Sequence, residues 1–161
     1  MLTAVFLVVL FSHHHLTDTG HGMVSRQTSL IKAALRFKNE ISLFHLWLEE
    51  WVANDPSVTR ETFMAHFRKA EWYAEAMLMG GRSDQRQIIP ITDPLLRNSV
   101  LALQKQLAAL RAITEKRIKG HNQNRADREF DAAVDMEFQN TLSQANRVET
   151  ALQKILDQKL D

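Results

Sequence analysis

The chain has 161 residues, with 20 Lys and Arg against 19 Asp and Glu, no cysteine, five glycines and three prolines. So few turn-forming residues exclude the turn-rich β-sandwich, barrel and doubly wound α/β folds. The net charge of +1 offers no general attraction for nucleic acid, and the lack of cysteine excludes a disulfide framework and thiolate chemistry.

The first predicted element is an apolar N-terminal segment at 1–22. Within it, residues 2–11 read LTAVFLVVLF and carry no charge. The run is shorter than the ~20 residues that span a bilayer, and no Lys or Arg precedes it, as one would in a signal peptide. Because it has no polar face, we expect part of a transmembrane helix; packing against its own bundle or a partner is the alternative. The three histidines at 13–15 are interpreted as a neutral interfacial segment rather than a metal site.

Four segments free of Gly and Pro follow, at 23–55, 57–79, 95–119 and 121–161. Each carries apolar residues at alternating steps of three and four, which is the spacing of a helix with one buried stripe. The stripes are Leu30, Ala34, Phe37, Ile41, Phe44, Leu48 and Trp51; Phe63, Phe67, Ala70, Ala74 and Met77; Leu96, Val100, Leu103, Leu107 and Leu110; and Val134, Phe138, Thr141, Ala145, Val148, Leu152 and Ile155. This pattern predicts an all-α fold, an antiparallel up-down-up-down four-helix bundle over 23–161 with long first and fourth helices.

Capping residues predict where the helices begin and end. Two Asp-Pro steps, at 55–56 and 93–94, each place an acceptor ahead of a proline at the first helical position. Gly80 and Gly120 stand where a left-handed C-cap is expected. Only the stretch 80–93 is predicted to be a longer loop.

Five short phrases carry a resemblance to a known family. They are HLWLEEW at 45–51, AEWYAEAMLMGG at 70–81, IPITDPLLR at 89–97, LRAITEKR at 110–117 and REFDAAVDMEFQNTLSQANRVETAL at 128–152. In this order they resemble the extracytoplasmic four-helix-bundle sensor domain of bacterial methyl-accepting chemotaxis receptors and related sensor kinases. The resemblance runs from Ser25 to the C-terminus and concerns the sensor module alone, because the sequence contains no adaptor or kinase-control region.

The resemblance implies a periplasmic ligand-sensing module of a transmembrane chemotaxis or sensor-kinase receptor. It implies a homodimer, an inner-membrane location through the N-terminal helix, and signal transduction by ligand-induced displacement of a helix. The residues themselves are also compatible with two other functions. One is a metal- or haem-binding helical bundle, and the other is a ligand-free coiled-coil adaptor.

Counting residues from the turns places polar side chains of several helices at one level of the predicted bundle. An Arg and a His that face each other across helices can hold a small organic anion, because a guanidinium binds a carboxylate through two parallel hydrogen bonds. Trp72 is expected to supply an aromatic wall to such a site. The candidate ligand-binding residues are His45, Glu49, His66, Trp72, Arg111 and Asp131.

A metal ion is the alternative ligand at the same level. His45, Glu49, His66 and Asp131 offer imidazole and carboxylate groups, which suit zinc, iron and nickel. The sequence lacks the paired Glu-x-x-His of di-iron bundles and the Cys-x-x-Cys-His of covalent haem. The remaining interpretation is that these side chains only hydrogen-bond one another or lie in solvent, and no cofactor is then expected.

Catalysis and nucleic-acid binding are not expected. The sequence has no Gly-rich phosphate loop, no Gly-x-Ser-x-Gly elbow and no His-Glu-x-x-His zinc motif. Basic and acidic residues alternate along the chain, whereas a nucleic-acid surface needs one-sided positive charge. We therefore predict a protein that is not an enzyme and does not bind nucleic acid.

Overall fold

The four predicted helices are present in the computed structural model, which describes residues 28–82, 87–122 and 128–158. They are α1 over 28–52, α2 at Arg60–Met79, α3 at Pro94–Asn122 and α4 at Arg128–Asp157. The predicted all-α four-helix bundle is confirmed. Between α2 and α3, the predicted long loop contains a short antiparallel hairpin of β1 (Gly81–Arg82) and β2 (Gln87–Ile88).

The apolar stripes form the core at the centre of the bundle. Phe37, Phe44, Phe63 and Phe67 are the largest side chains in it, and none is more than 1% exposed. The rings of Phe44 and Phe67 meet edge to face with their centroids 4.9 Å apart, which joins α1 to α2. Full burial of each such side chain contributes about 1.5–3 kcal/mol to stability.

The end of α1 is built around a residue in the left-handed conformation. Asn54 has a φ of 65°, and the N–H groups of Asn54 and Asp55 donate to the carbonyls of Trp51 and Glu50, both at 3.0 Å. These two bonds form a Schellman motif, which satisfies the last carbonyl groups of the helix. The chain reverses here, so α2 runs antiparallel to α1.

The predicted start of α2 at residues 55–56 is wrong. The N-cap is Thr59, whose hydroxyl accepts from the N–H of Thr62 at 3.3 Å, and the Thr62 hydroxyl accepts from the N–H of Thr59 at 3.3 Å. The carboxylate of Asp55 instead accepts from the N–H and the hydroxyl of Ser57, at 2.8 and 2.7 Å. Because Ser57 occupies that acceptor, Asp55 caps a turn rather than the helix.

Of the three other predicted helix ends, two lie at the predicted residue and one does not. Pro94 is the first residue of α3, and the Asp93 carboxylate caps it by accepting from the N–H of Leu96 at 2.8 Å. Gly80 is the C-cap of α2, as predicted, but its φ of 81° and ψ of 162° differ from the left-handed helical conformation that was expected there. The predicted C-cap at Gly120 is wrong, because α3 continues through it to its end at residue 122 and the buried glycine lies under α4.

The predicted inner-membrane location, with this domain in the periplasm, is contradicted by the helices that the structure describes. Among the residues that the structure describes, no helix is long and apolar enough to cross a membrane. The apolar segment 1–22, on which the prediction depended, lies outside the described residues.

Candidate functional site

Five candidate residues can carry charge. All but one of them lie in a polar pair, and each pair joins two neighbouring helices. His45, His66 and Arg111 do not form one site, since each is bonded to a carboxylate of its own. The exception, Glu49, belongs to the surroundings of His45. The pairs are His45–Asp135 between α1 and α4, His66–Glu40 between α2 and α1, Arg111–Glu71 between α3 and α2, and Arg117–Asp131 between α3 and α4.

His45 lies at the interface between α1 and α4. Its Nε2 atom is 2.9 Å from Oδ1 of Asp135, and its ring stacks on Phe138 with centroids 3.9 Å apart and planes inclined by 10°. The seam residue Phe138 thus fixes the plane of the imidazole, and Asp135 fixes its rotation. A second link, between Lys38 and Glu149 at 2.7 Å, joins the same two helices further along.

Glu49 stands one turn after His45 on the same face of α1. One ligand atom each from His45, Glu49 and Asp135 lie within 4.8 Å of one another. Partial burial raises the pKa of the Glu49 carboxyl; His45 lowers it, Asp135 and Asp131 raise it, and Arg117 lowers it. Three carboxylates therefore converge on one imidazole and one guanidinium, and negative charge dominates this end of the α1–α4 interface.

Arg117 of α3 is the guanidinium that lies near these carboxylates. The residue is only 5% exposed, and its Nε–H donates to Oδ1 of Asp131. Its Nη1 atom is buried and has no hydrogen-bond acceptor among the described residues. A buried guanidinium N–H without an acceptor is costly, so Nη1 can donate to one further acceptor.

His66 belongs to a different interface. Its Nδ1 atom lies 2.7 Å from Oε2 of Glu40, and the two side chains are 20% and 12% exposed. This pair joins α2 to α1 and satisfies both groups. The structure therefore places His66 outside the cluster of His45 and Glu49, to which the sequence-based metal set assigned it.

Arg111 lies on the α2–α3 side of the bundle. Its guanidinium donates to Glu71 and lies over the ring of Phe67, 5.1 Å from the centroid. The two charged residues line an open groove of about 440 Å³ together with Glu75 and Glu115. Three carboxylates against one guanidinium make the groove acidic, so its charge does not suit the organic anion expected at Arg111.

Trp72 takes no part in the polar contacts. It is 37% exposed, and its ring meets Tyr73 edge to face at 4.9 Å. A Cβ atom built on Gly81 would lie 3.2 Å from the Trp72 ring, so the indole covers the start of β1. Its packing role is to hold the hairpin against α2.

Sequence reasoning missed the partner residues of the candidate site. Asp135 had a signal, because it follows Asp131 by four residues and therefore shares its face of α4. Arg117 was not among the candidate residues, yet it is buried and donates to Asp131. Its burial had a sequence signal, because Thr114 and Arg117 continue the four-and-three spacing of the α3 stripe beyond Leu110, and both are buried.

Comparison with known proteins assigns no family. No protein-family model matches the sequence, and no curated protein matches it significantly. The resemblance to chemoreceptor sensor domains stays a prediction that depends on the five phrases quoted above.

Proposed function

We propose that this chain is a ligand-sensing module of the chemotaxis-receptor or sensor-kinase type, and that it signals by displacement of α4 against α1. The five sequence phrases and the four-helix architecture support the type of module. The observation that carries the mechanism is the packing of small side chains at the centre of α4. No catalytic reaction is assigned.

Thr141 and Ala145 occupy the middle of the α4 seam and are 0% and 1% exposed. Neither side chain is long enough to interlock deeply with a facing helix. The Thr141 hydroxyl donates to the carbonyl of Glu137 at 2.8 Å, a bond within α4 that does not link it to another described helix. Shallow packing lowers the cost of a small shift, and packed helices move relative to one another by such shifts.

Polar links between α1 and α4 stand on both sides of these small residues. They are Lys38 with Glu149 and His45 with Asp135. The Asp135 side chain is 60% exposed, so water replaces the His45–Asp135 link at modest cost when it breaks. A ligand that binds one arrangement of these side chains more tightly than another changes the population of the two helix positions.

Distance measurement between spin labels tests the proposal directly. The chain has no cysteine, so Ser42→Cys on α1 and Met136→Cys on α4 give one labelled pair at exposed positions. Lys69→Cys on α2 with Ala109→Cys on α3, also exposed, is the matched control. Carboxylates, amino acids and divalent metals are first screened by thermal shift on the full chain.

A stabilising compound is expected to change the α1–α4 distance by about 1–2 Å and to leave the α2–α3 distance unchanged. The proposal fails if no compound stabilises the protein, or if stabilisation leaves both distances as they were. The homodimer that belongs to the proposal is measured on the same samples by analytical ultracentrifugation. A ligand-free adaptor would keep its oligomeric state in Arg111→Ala and His45→Ala and would respond to no compound.

A further inference from the structure

The cluster of His45, Glu49 and Asp135 has the composition of a metal site. Imidazole and carboxylate groups together are the ligands that zinc and related divalent ions prefer. Bonds of about 2.0–2.2 Å in a tetrahedral site place ligand atoms about 3.5 Å apart. The cluster spans 2.9 Å between His45 and Asp135 and at most 4.8 Å overall, so small rotations of the side chains suffice.

The backbone holds these ligands on two rigid elements. His45 and Glu49 are four residues apart on α1, and Asp135 is on α4 directly opposite His45. The ring of His45 is already oriented by its stack on Phe138. Rigid positioning of this kind reduces the entropy that ion binding costs.

The surrounding charges favour a cation. Asp131 adds a third carboxylate to those of Glu49 and Asp135, and the positive charge that faces them is the Arg117 guanidinium, together with His45 when protonated. A divalent ion removes the repulsion between the carboxylates.

Arg117 supplies an observation that is independent of the ligand set. Arg117 lies close enough to Glu49 to interact with it electrostatically, and its Nε–H donates to Asp131. Its Nη1 atom is buried without an acceptor among the described residues. An oxygen atom at that position, from a carboxylate turned toward the ion or from a water bound to it, satisfies the donor. Metal sites are commonly completed by such outer hydrogen bonds.

We propose that His45, Glu49 and Asp135 bind one divalent transition-metal ion of the zinc class, with water in the fourth position and Arg117 and Asp131 as outer partners. The ion joins α1 to α4. Its role as the ligand that displaces α4 rests on the proposed sensing function, whereas its binding does not.

Titration calorimetry with Zn²⁺ on the full chain tests the site. The histidines at 13–15 are replaced by Ala in every sample, because three consecutive imidazoles bind zinc by themselves. We expect one ion per chain, with affinity reduced about tenfold or more in Glu49→Gln and in Asp135→Asn. Glu50→Gln, an exposed neighbour, and His66→Gln, outside the cluster, are the matched controls and keep the affinity.

The amide substitutions preserve side-chain shape, and circular dichroism on each variant verifies the helical fold. Absence of saturable binding at one ion per chain overturns the site, as does equal affinity in Glu49→Gln, Asp135→Asn and the controls. Zinc binding without a change in the α1–α4 label distance upholds the site and contradicts its sensing role. A helix displacement caused by another compound, with no zinc binding, upholds sensing and overturns the site.

Discussion

The imidazole of His66 and the carboxylate of Glu40 are bound to each other across the α1–α2 interface, with Nδ1 and Oε2 2.7 Å apart. Both side chains are mostly buried, so water replaces neither partner well. We expect Glu40→Ala and His66→Ala each to lower the free energy of unfolding, and a double-mutant cycle to give a coupling of about 1–3 kcal/mol. Urea unfolding measures it, and additive single effects would show that the pair contributes no coupling.

The pair of Arg117 and Asp131 is expected to respond unequally to the loss of either member. Arg117 is 5% exposed, whereas the Asp131 side chain is 43% exposed. Asp131→Asn keeps an acceptor for the Nε–H but removes the opposite charge from a buried guanidinium, and should cost about 2–3 kcal/mol. Arg117→Met leaves a carboxylate that water can solvate and should cost less than about 1 kcal/mol. Urea unfolding compares the two variants, and the reverse order would contradict the buried placement of Arg117.

The small residue at the centre of α4 is expected to tolerate no added volume. Ala145 is 1% exposed, so Ala145→Leu forces a shift of α4 and should destabilise the protein by about 1–3 kcal/mol. Ala132→Leu introduces the same change at an exposed position of the same helix and should alter stability by less than about 0.5 kcal/mol. Thermal unfolding of both variants measures the difference, and equal stability would disprove close packing at Ala145.

The turn between α1 and α2 gives a prediction about pH. Hydrogen bonds from the hydroxyl and then the N–H of Ser57 lower the pKa of the Asp55 carboxyl below its ordinary 3.8. A carboxyl with a lowered folded-state pKa stabilises the fold above its unfolded pKa, and this contribution is lost as pH falls through the folded pKa. Ser57→Ala should raise the Asp55 pKa toward 3.8, as followed by NMR titration. An unchanged pKa would show that the hydroxyl bond is absent in solution.

Two glycines are expected to respond in opposite directions to alanine. Gly80 has a φ of 81°, and an added Cβ would meet Pro90 at 3.1 Å, so Gly80→Ala should cost about 1–3 kcal/mol. Gly120 lies inside α3, and an added Cβ would meet Phe130 at an ordinary 3.9 Å. Gly120→Ala should therefore stabilise by about 0.5–1 kcal/mol. Chemical denaturation of the two variants provides the test, and destabilisation by Gly120→Ala would place α4 closer than the structure has it.

Helix positions were predictable because they depend on local patterns. The apolar stripes match the buried residues of all four helices, and the Asp93 cap at Pro94 follows from chemistry within four residues. The start of α2 was mispredicted because two acceptors, Asp55 and Thr59, compete within five residues. Only the three-dimensional turn shows that Ser57 binds the first of them.

The candidate site was predictable in part. His45 and Glu49 were placed together because both are on α1, one turn apart, and the structure keeps them together. The sequence predicted Asp131 of α4 as the partner of His45. The residue that contacts His45 is Asp135, one helical turn further along. One helical turn is 5.4 Å along the axis, and counting residues from a loop of unknown shape is not accurate to that distance.

The sequence by itself determined that this protein has four amphipathic helices with one buried stripe each, because helical periodicity and capping act over a few residues. The tertiary structure alone decided which acid each basic side chain meets: Glu40 for His66, Glu71 for Arg111, Asp135 for His45 and Asp131 for Arg117. These pairings depend on the height and rotation of one helix against another. Side-chain packing along the whole interface sets both, and a change of one residue in register rotates a helical position by about 100°.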